Sequence, residues 1–127
     1  MESLVENGFY EGRKVKLQRA VALQAAETAL VLGRPDSALS LARQAHTIAR
    51  RDSLAESRST YVGESLLIEG RALLTLGDTT GALDSLERAL AALSIGAGPS
   101  HRRTLEARSV LHRLPGRSAP MVKSGTG

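Results

Sequence analysis

The strongest constraint on how this chain can fold is an internal repeat, because residues recur in the same order at a spacing of 44 positions. Gly33 has its counterpart in Gly77, and the pair Ala38-Leu39 has its counterpart in Ala82-Leu83. Repeated units of this length stack side by side, because one unit alone cannot bury its apolar face. The repeat therefore predicts two similar units packed against each other. The remaining identities pair Leu23 with Leu67, Leu30 with Leu74, Leu32 with Leu76, and Ala45 with Ala89.

Each unit is predicted to be an antiparallel helix hairpin. Apolar residues recur at intervals of three and four on both sides of Gly33 and Gly77, which is the spacing of a buried helix face. Glycine at such a corner can adopt the left-handed backbone that ends one helix before the next begins. The pattern predicts helices over residues 14–32 and 35–50, a third that begins between residues 54 and 63 and ends at 76, and a fourth over 79–94.

A shorter fifth helix is predicted to begin after Ser100, whose hydroxyl can cap the first turn, and to end at Pro115. Aromatic residues make up only 2% of the chain, while alanine and leucine supply most of its apolar content. Such side chains suit closely packed helices better than half-buried strands. The expected fold is therefore all-α: a short α-solenoid of antiparallel helix hairpins, with about two repeats plus a terminal capping helix.

Three regions are expected along the chain. Residues 1–12 contain two glycines and no sustained period, so they are expected to form a loose leader. Residues 13–114 are expected to form the repeat domain, and residues 115–127 a disordered basic tail. The formal net charge of +4 arises near the carboxyl end, because residues 99–127 hold six Lys and Arg against one acidic residue. No segment resembles a signal peptide or a membrane span, so we expect a cytoplasmic protein.

The two units resemble the tetratricopeptide repeat, a helix hairpin with small and large residues at set positions. The second unit, residues 63–93, is the better match, and the first, residues 20–50, carries alanine where larger residues are usual. The spacing of 44 residues exceeds the 34 that is usual for this repeat, so extra residues must lengthen the helices or the connection over residues 51–59. The alternative to a tetratricopeptide repeat is a general α-solenoid. The matching residues are Gly70, Leu73, Gly77-Asp78, Ala82-Leu83, Leu86 and Ala89-Leu90 in the second unit, and Ala26, Ala29, Gly33, Ala38-Leu39 and Ala45 in the first.

A further segment resembles the longer, kinesin-light-chain-like variety of this repeat. It consists of Gly98-Pro99-Ser100-His101 followed by Thr104, Leu105 and Ala107. The resemblance implies that the first helices of the hairpins line a groove for an extended peptide or a partner helix. That groove would be chiefly apolar with one acidic and one basic residue, although its leucines could instead belong to the core. The partner-binding positions implied are Leu23, Glu27, Leu30, Val31, Leu67, Arg71, Leu74 and Thr75.

The sequence offers no recognisable catalytic, cofactor or metal site. The absence of cysteine excludes disulfides, thiol nucleophiles and cysteine-ligated zinc. The histidines His46, His101 and His112 are too far apart along the chain to share a metal ion and are expected on the surface. No Gly-x-Ser-x-Gly motif marks a nucleophile, and Gly96-Ala97-Gly98 follows a helix and lacks the residues of a phosphate loop. We therefore expect a protein that is not an enzyme and has no cofactor.

The expected function is a non-catalytic scaffold that binds a protein or peptide partner in the groove. One alternative is a homo-oligomer, because about three repeats are needed to bury a continuous core. Another is that the chain is part of a larger regulator. Nucleic-acid binding through the basic end is less expected, because a solvated helix face accounts for its charges. The basic residues concerned are His101-Arg102-Arg103, Arg108, Arg113, Arg117 and Lys123.

Overall fold

The computed structural model describes residues 4–51 and 55–114, with side chains for residues 14, 16–51 and 59–114. This part of the chain contains helices and connections and no strand, which confirms the all-α fold class. The helices are α1 (Leu4–Val31), α2 (Pro35–Ala49), α3 (Ala55–Thr75), α4 (Thr79–Gly96) and α5 (Arg102–Arg113).

The helices form two antiparallel hairpins stacked side by side. Helix α1 packs on α2, and α3 packs on α4, as the repeat predicts. The hairpins meet chiefly through α2 and α3, while α5 packs on α4. The architecture is therefore a short α-solenoid of two hairpins with a terminal helix. Within the described residues, no helix combines the length and apolar character needed to cross a bilayer.

The two glycine corners have the same geometry, as the sequence predicts. Gly33 has a φ of +76° and Gly77 a φ of +91°, a region that glycine enters without steric cost. At each corner the amide after the glycine donates to a carbonyl in the last turn of the preceding helix, in the Schellman arrangement. These bonds are Arg34 N–H to Ala29 O, 2.8 Å, and Asp78 N–H to Leu73 O, 2.9 Å.

The hairpins bury equivalent positions but fill them with side chains of different size. In the first hairpin the buried apolar positions hold mostly alanine, and in the second hairpin four of those positions hold leucine instead. The largest apolar cluster therefore lies between α3, α4 and α5, while smaller clusters join α1, α2 and the facing side of α3. The equivalent buried pairs are Ala22 with Leu66, Ala29 with Leu73, Ala42 with Leu86, and Ala49 with Leu93.

One contact in the second hairpin requires glycine because of space rather than backbone angle. A Cβ atom on Gly70 of α3 would lie only 2.6 Å from Cγ of Leu86 on α4. The equivalent pair in the first hairpin is Ala26 and Ala42, which share one buried cluster. At this contact between the two helices of a hairpin, glycine packs against leucine in the second hairpin, and alanine packs against alanine in the first.

Three predicted boundaries are wrong. Helix α1 begins at Leu4 rather than near residue 14, so residues 4–12 are helical and not a loose leader. Glycine costs only about 1 kcal/mol in a helix, so Gly8 and Gly12 do not stop it. Helix α4 continues through Gly96. The cap of α5 is His101, whose Nδ1 accepts the Arg103 amide at 3.1 Å, instead of Ser100. The predicted tail, residues 115–127, lies outside the described residues.

Candidate functional site

A cleft of about 490 Å³ lies where α1, α3 and the end of α5 meet. These are the first helices of the two hairpins and the terminal helix, so the cleft crosses the stack. Four of the eight predicted partner-binding residues line it. We call it the α1/α3/α5 cleft. Its lining is Leu30 of α1; Arg71, Leu74 and Thr75 of α3; and Val110, Arg113 and Leu114 at the end of α5.

The lining of the α1/α3/α5 cleft combines an apolar surface with positive charge. Leucine and valine side chains from all three helices supply the apolar part, and no carboxylate is among the lining residues. Arg113 is exposed, and its Nε donates a long hydrogen bond of 3.4 Å to the Ser109 carbonyl. Arg71 reaches Glu106 on α5 at 2.9 Å. The cleft can therefore receive an apolar group with an anionic group beside it.

Beside the cleft lies a cluster of charged residues that ties three helices together. Arg103 of α5 is only 13% exposed and donates through Nη2 to Glu27 of α1 at 2.6 Å. The same guanidinium contacts Glu106 at 3.3 Å and Glu64 of α3 at 3.8 Å. We call these residues, together with Arg71, the Arg103 cluster. It fixes α5 against both preceding first helices.

Burial and charge act in opposite directions on the Arg103 cluster. Burial raises the pKa of the Glu64 carboxyl above its usual value, although the nearby Arg103 opposes this shift. Burial alone would lower the pKa of Arg103, but its hydrogen bond with Glu27 and the neighbouring carboxylates raise it overall. The guanidinium therefore remains charged and holds carboxylates that would otherwise repel one another.

The structure places the predicted partner-binding residues in different surroundings. Leu30, Arg71, Leu74 and Thr75 line the cleft, and Glu27 belongs to the Arg103 cluster. Leu23 is half-buried among alanines of the first hairpin, and Val31 is 81% exposed but outside the cleft lining.

Leu67 is a correction to the prediction. It is fully buried in the largest apolar cluster, so it is a core residue and cannot meet a partner. Its counterpart Leu23 is only half-buried, because α1 belongs to the outer hairpin and α3 has helices on both sides.

The residues contributed by α5 were not predicted as part of the site. Val110, Arg113 and Leu114 complete the cleft, and Arg103 and Glu106 engage the two charged groove positions, Glu27 and Arg71. The resemblance of residues 98–107 to the start of a further repeat is the sequence signal for these residues. It places α5 where the first helix of that repeat would lie, next to the predicted groove. The basic end is also not a uniformly solvated face, because Arg103 turns inward whereas Arg102 and Arg108 are exposed.

The histidines do not converge on a shared site. His101 and His112 are exposed, and His46 is half-buried. Burial lowers the pKa of His46, with Arg88 and Arg50 acting in the same direction and Glu69 opposing them. Among the residues that the structure describes, no group of three or more His, Asp or Glu is arranged to hold a metal ion.

No protein-family model, curated protein or solved structure matches this chain. What the α1/α3/α5 cleft can do is therefore argued from its own shape and lining. Its volume of about 490 Å³ falls within the range of sites that receive small groups or side chains. A mixed apolar and cationic lining suits binding and orientation of a chain segment, and the cluster beside it keeps the cleft wall in place.

Proposed function

We infer that this protein is a non-catalytic scaffold of the tetratricopeptide type, which binds a peptide or a segment of a partner protein in the α1/α3/α5 cleft. The observation that carries this proposal is the cleft lining, which takes residues from the first helices of both hairpins and from the terminal helix α5. Four of those residues are positions that the repeat resemblance assigns to partner binding. A site built across a stack in this way suits an extended ligand better than a compact one.

The lining also defines the chemistry of the proposed ligand. Half-buried Leu30 and Leu74 offer apolar surface to an aliphatic or aromatic side chain, above buried Val110 and Leu114. Arg113 is exposed at the same cleft and is available to a carboxylate, and a charge-assisted hydrogen bond to arginine is stronger than a neutral one. The preferred peptide therefore carries an apolar residue next to Asp or Glu.

The test is selection of peptides from a random displayed library on the immobilised full chain, followed by fluorescence anisotropy with the selected sequences. Arg113→Glu should weaken binding by about tenfold or more, because it removes a charged hydrogen bond and adds repulsion. Arg108→Glu changes an exposed arginine on the same helix outside the cleft, and it should leave the affinity within about twofold.

The selected sequences provide a second readout. An excess of Asp or Glu beside an apolar residue supports the proposal, and replacing that acid with Lys should abolish binding. Peptides that bind Arg113→Glu as tightly as the unaltered protein would place the binding surface elsewhere and overturn the assignment of the cleft.

A further inference from the structure

An ion pair at the edge of the α1/α3/α5 cleft joins α3 to α5. Arg71, one of the residues that line the cleft, donates through Nη1 to Oε2 of Glu106 at 2.9 Å. The two side chains are 36% and 30% exposed, so solvent reaches both of them. A ligand in the cleft therefore lies beside this ion pair and can compete with Glu106 for Arg71.

Glu106 lies on the same face of α5 as two residues of the cleft lining. It precedes Val110 by four positions and Arg113 by seven, and residues at these intervals share one side of a helix. The ion pair with Arg71 thus continues the cleft lining by one helical turn towards the beginning of α5. A peptide that extends beyond the apolar lining in this direction meets Arg71 and Glu106 next.

The two arginines of the lining offer different charges to a ligand. Arg113 donates a long hydrogen bond to a backbone carbonyl and, among the side chains that the structure describes, pairs with no carboxylate. Arg71 is already neutralised by Glu106. A ligand with one carboxylate is therefore expected at Arg113, and a second carboxylate gains from Arg71 only in competition with Glu106.

Glu106 can release Arg71 without losing its own counter-charge. Its other oxygen, Oε1, accepts a hydrogen bond from Nη1 of Arg103 at 3.3 Å. Arg103 is held in turn by Glu27 at 2.6 Å, so it stays in place when Arg71 moves. Removal of one partner from a partly buried ion pair is costly when it leaves a charge unpaired, and the second contact avoids that cost. A ligand carboxylate can therefore replace Glu106 on Arg71 while Glu106 stays paired with Arg103.

We propose that Glu106 sets the specificity of the α1/α3/α5 cleft by competing with the ligand for Arg71, and that the preferred ligand carries two carboxylates rather than one. This inference rests on the proposed function, in which the first carboxylate binds Arg113. The second carboxylate binds Arg71 and displaces Glu106. Glu106 thereby lowers the affinity for every ligand that reaches Arg71 and has no effect on a ligand that binds only at Arg113.

The geometry of α5 sets the spacing of the two carboxylates. Glu106 and Arg113 are seven positions apart, which corresponds to about 10 Å of helix at roughly 1.5 Å per residue. An extended peptide covers this length in about three residues, since each residue adds roughly 3.3 Å. The expected ligand thus has two acidic residues about three positions apart, with an apolar residue between them for the surface of Leu30 and Leu74.

Peptide selection from the same displayed library, run in parallel on the unaltered full chain and on Glu106→Gln, tests the proposal. The Gln side chain keeps an oxygen that can accept from Arg103 but no longer neutralises Arg71. In fluorescence anisotropy, peptides with two acids should bind Glu106→Gln at least about fivefold more tightly than the unaltered protein, and peptides with one acid should bind both within about twofold. Glu87→Gln is the matched control, because it removes the same charge from an exposed side chain of α4 outside the cleft, and it should leave both affinities within about twofold.

The gain in affinity must also depend on Arg71. In an Arg71→Gln background, Glu106→Gln should no longer raise the affinity for peptides with two acids, whereas a general loosening of α5 would act in both backgrounds. No gain in Glu106→Gln, an equal gain in Glu87→Gln, a gain that persists without Arg71, or selected peptides that never carry a second acid would each overturn the role of Glu106 and leave the proposed function standing. No selected peptide from either protein, or binding that Arg113→Glu does not weaken, would overturn the proposed function and the role of Glu106 together.

Discussion

Arg103 and Glu27 are 76 positions apart in the chain, yet the guanidinium of Arg103 donates to the Glu27 carboxylate at 2.6 Å. This bond joins α5 to α1, which are the last and first helices that the structure describes. Because the same guanidinium also contacts Glu64 of α3, one side chain holds α1, α3 and α5 at fixed separations. The wall of the α1/α3/α5 cleft therefore depends on contacts made outside the cleft lining itself.

Replacement of Arg103 should loosen this arrangement. Arg103→Leu leaves three carboxylates together without their shared cation, and we expect the free energy of unfolding to fall by about 1–3 kcal/mol. Urea denaturation followed by circular dichroism measures the change. Arg108→Leu, at an exposed position of the same helix, should stay within about 0.5 kcal/mol of the unaltered protein.

The partner of Arg103 can be tested in the same way. Glu27→Gln should cost stability in the unaltered protein but much less in the Arg103→Leu background, because the charge that it serves is already absent. Additive losses in this double-mutant cycle would contradict a direct coupling between the two side chains.

The close contact at Gly70 predicts that Gly70→Ala changes the free energy of unfolding in opposite directions in two backgrounds. Gly70→Ala should destabilise the unaltered protein by about 1–3 kcal/mol, because the new Cβ meets Leu86. In a Leu86→Ala background the obstruction is gone, and the higher helix propensity of alanine should stabilise the protein by up to about 1 kcal/mol. Thermal or urea unfolding of the unaltered protein, the two single variants and the double variant measures both changes in stability. A loss or a gain of stability in both backgrounds alike would show that the contact does not limit this position.

The glycine corners make a prediction about backbone angle rather than space. No atom lies within 4 Å of a Cβ added at Gly33 or Gly77, so any cost of alanine there comes from the positive φ. Gly33→Ala and Gly77→Ala should each lower the free energy of unfolding by about 1–2 kcal/mol. Asparagine tolerates the left-handed region better than alanine, so the corresponding Asn variants should lose less. Equal losses for alanine and asparagine would point to another cause.

His46 predicts how stability varies with pH. Burial lowers its pKa in the folded protein, whereas the unfolded chain keeps a value near 6.5. The stability that His46 contributes is thus present above about pH 6.5 and is lost as the pH falls towards the folded pKa. His46→Gln should reduce the loss of stability between pH 7 and pH 5 in urea titrations at each pH. His112→Gln is the control, because His112 lies on the exposed side of α5. The stability of this variant should vary with pH in the same way as that of the unaltered protein.

The sequence was sufficient to predict the helices and corners because these depend on local patterns. Gly33 and Gly77 mark the two corners because the backbone there has a positive φ. The apolar spacing predicts which faces of α2 and α4 are buried. The start of α1 was missed because Gly8 and Gly12 weaken a helix without ending it.

The candidate site could be predicted only in part, because it depends on how distant helices approach. Leu67 matches the groove pattern as well as Leu74 does, but Leu67 is completely buried, whereas Leu74 is half-buried and lines the cleft. The inward turn of Arg103 depends on carboxylates from α1 and α3. No local pattern distinguishes it from the exposed arginines on the same helix.

The first hairpin has a core rich in alanine and the second has a core rich in leucine, so the two hairpins differ in stability. Burial of leucine contributes more free energy than burial of alanine, so local opening should begin at α1 and α2 while α3 and α4 remain folded. Hydrogen exchange followed by mass spectrometry should show amide protons of the first hairpin exchanging sooner. The α1/α3/α5 cleft takes residues from both hairpins, so local opening of α1 would remove one of its walls while the rest of the protein stays folded.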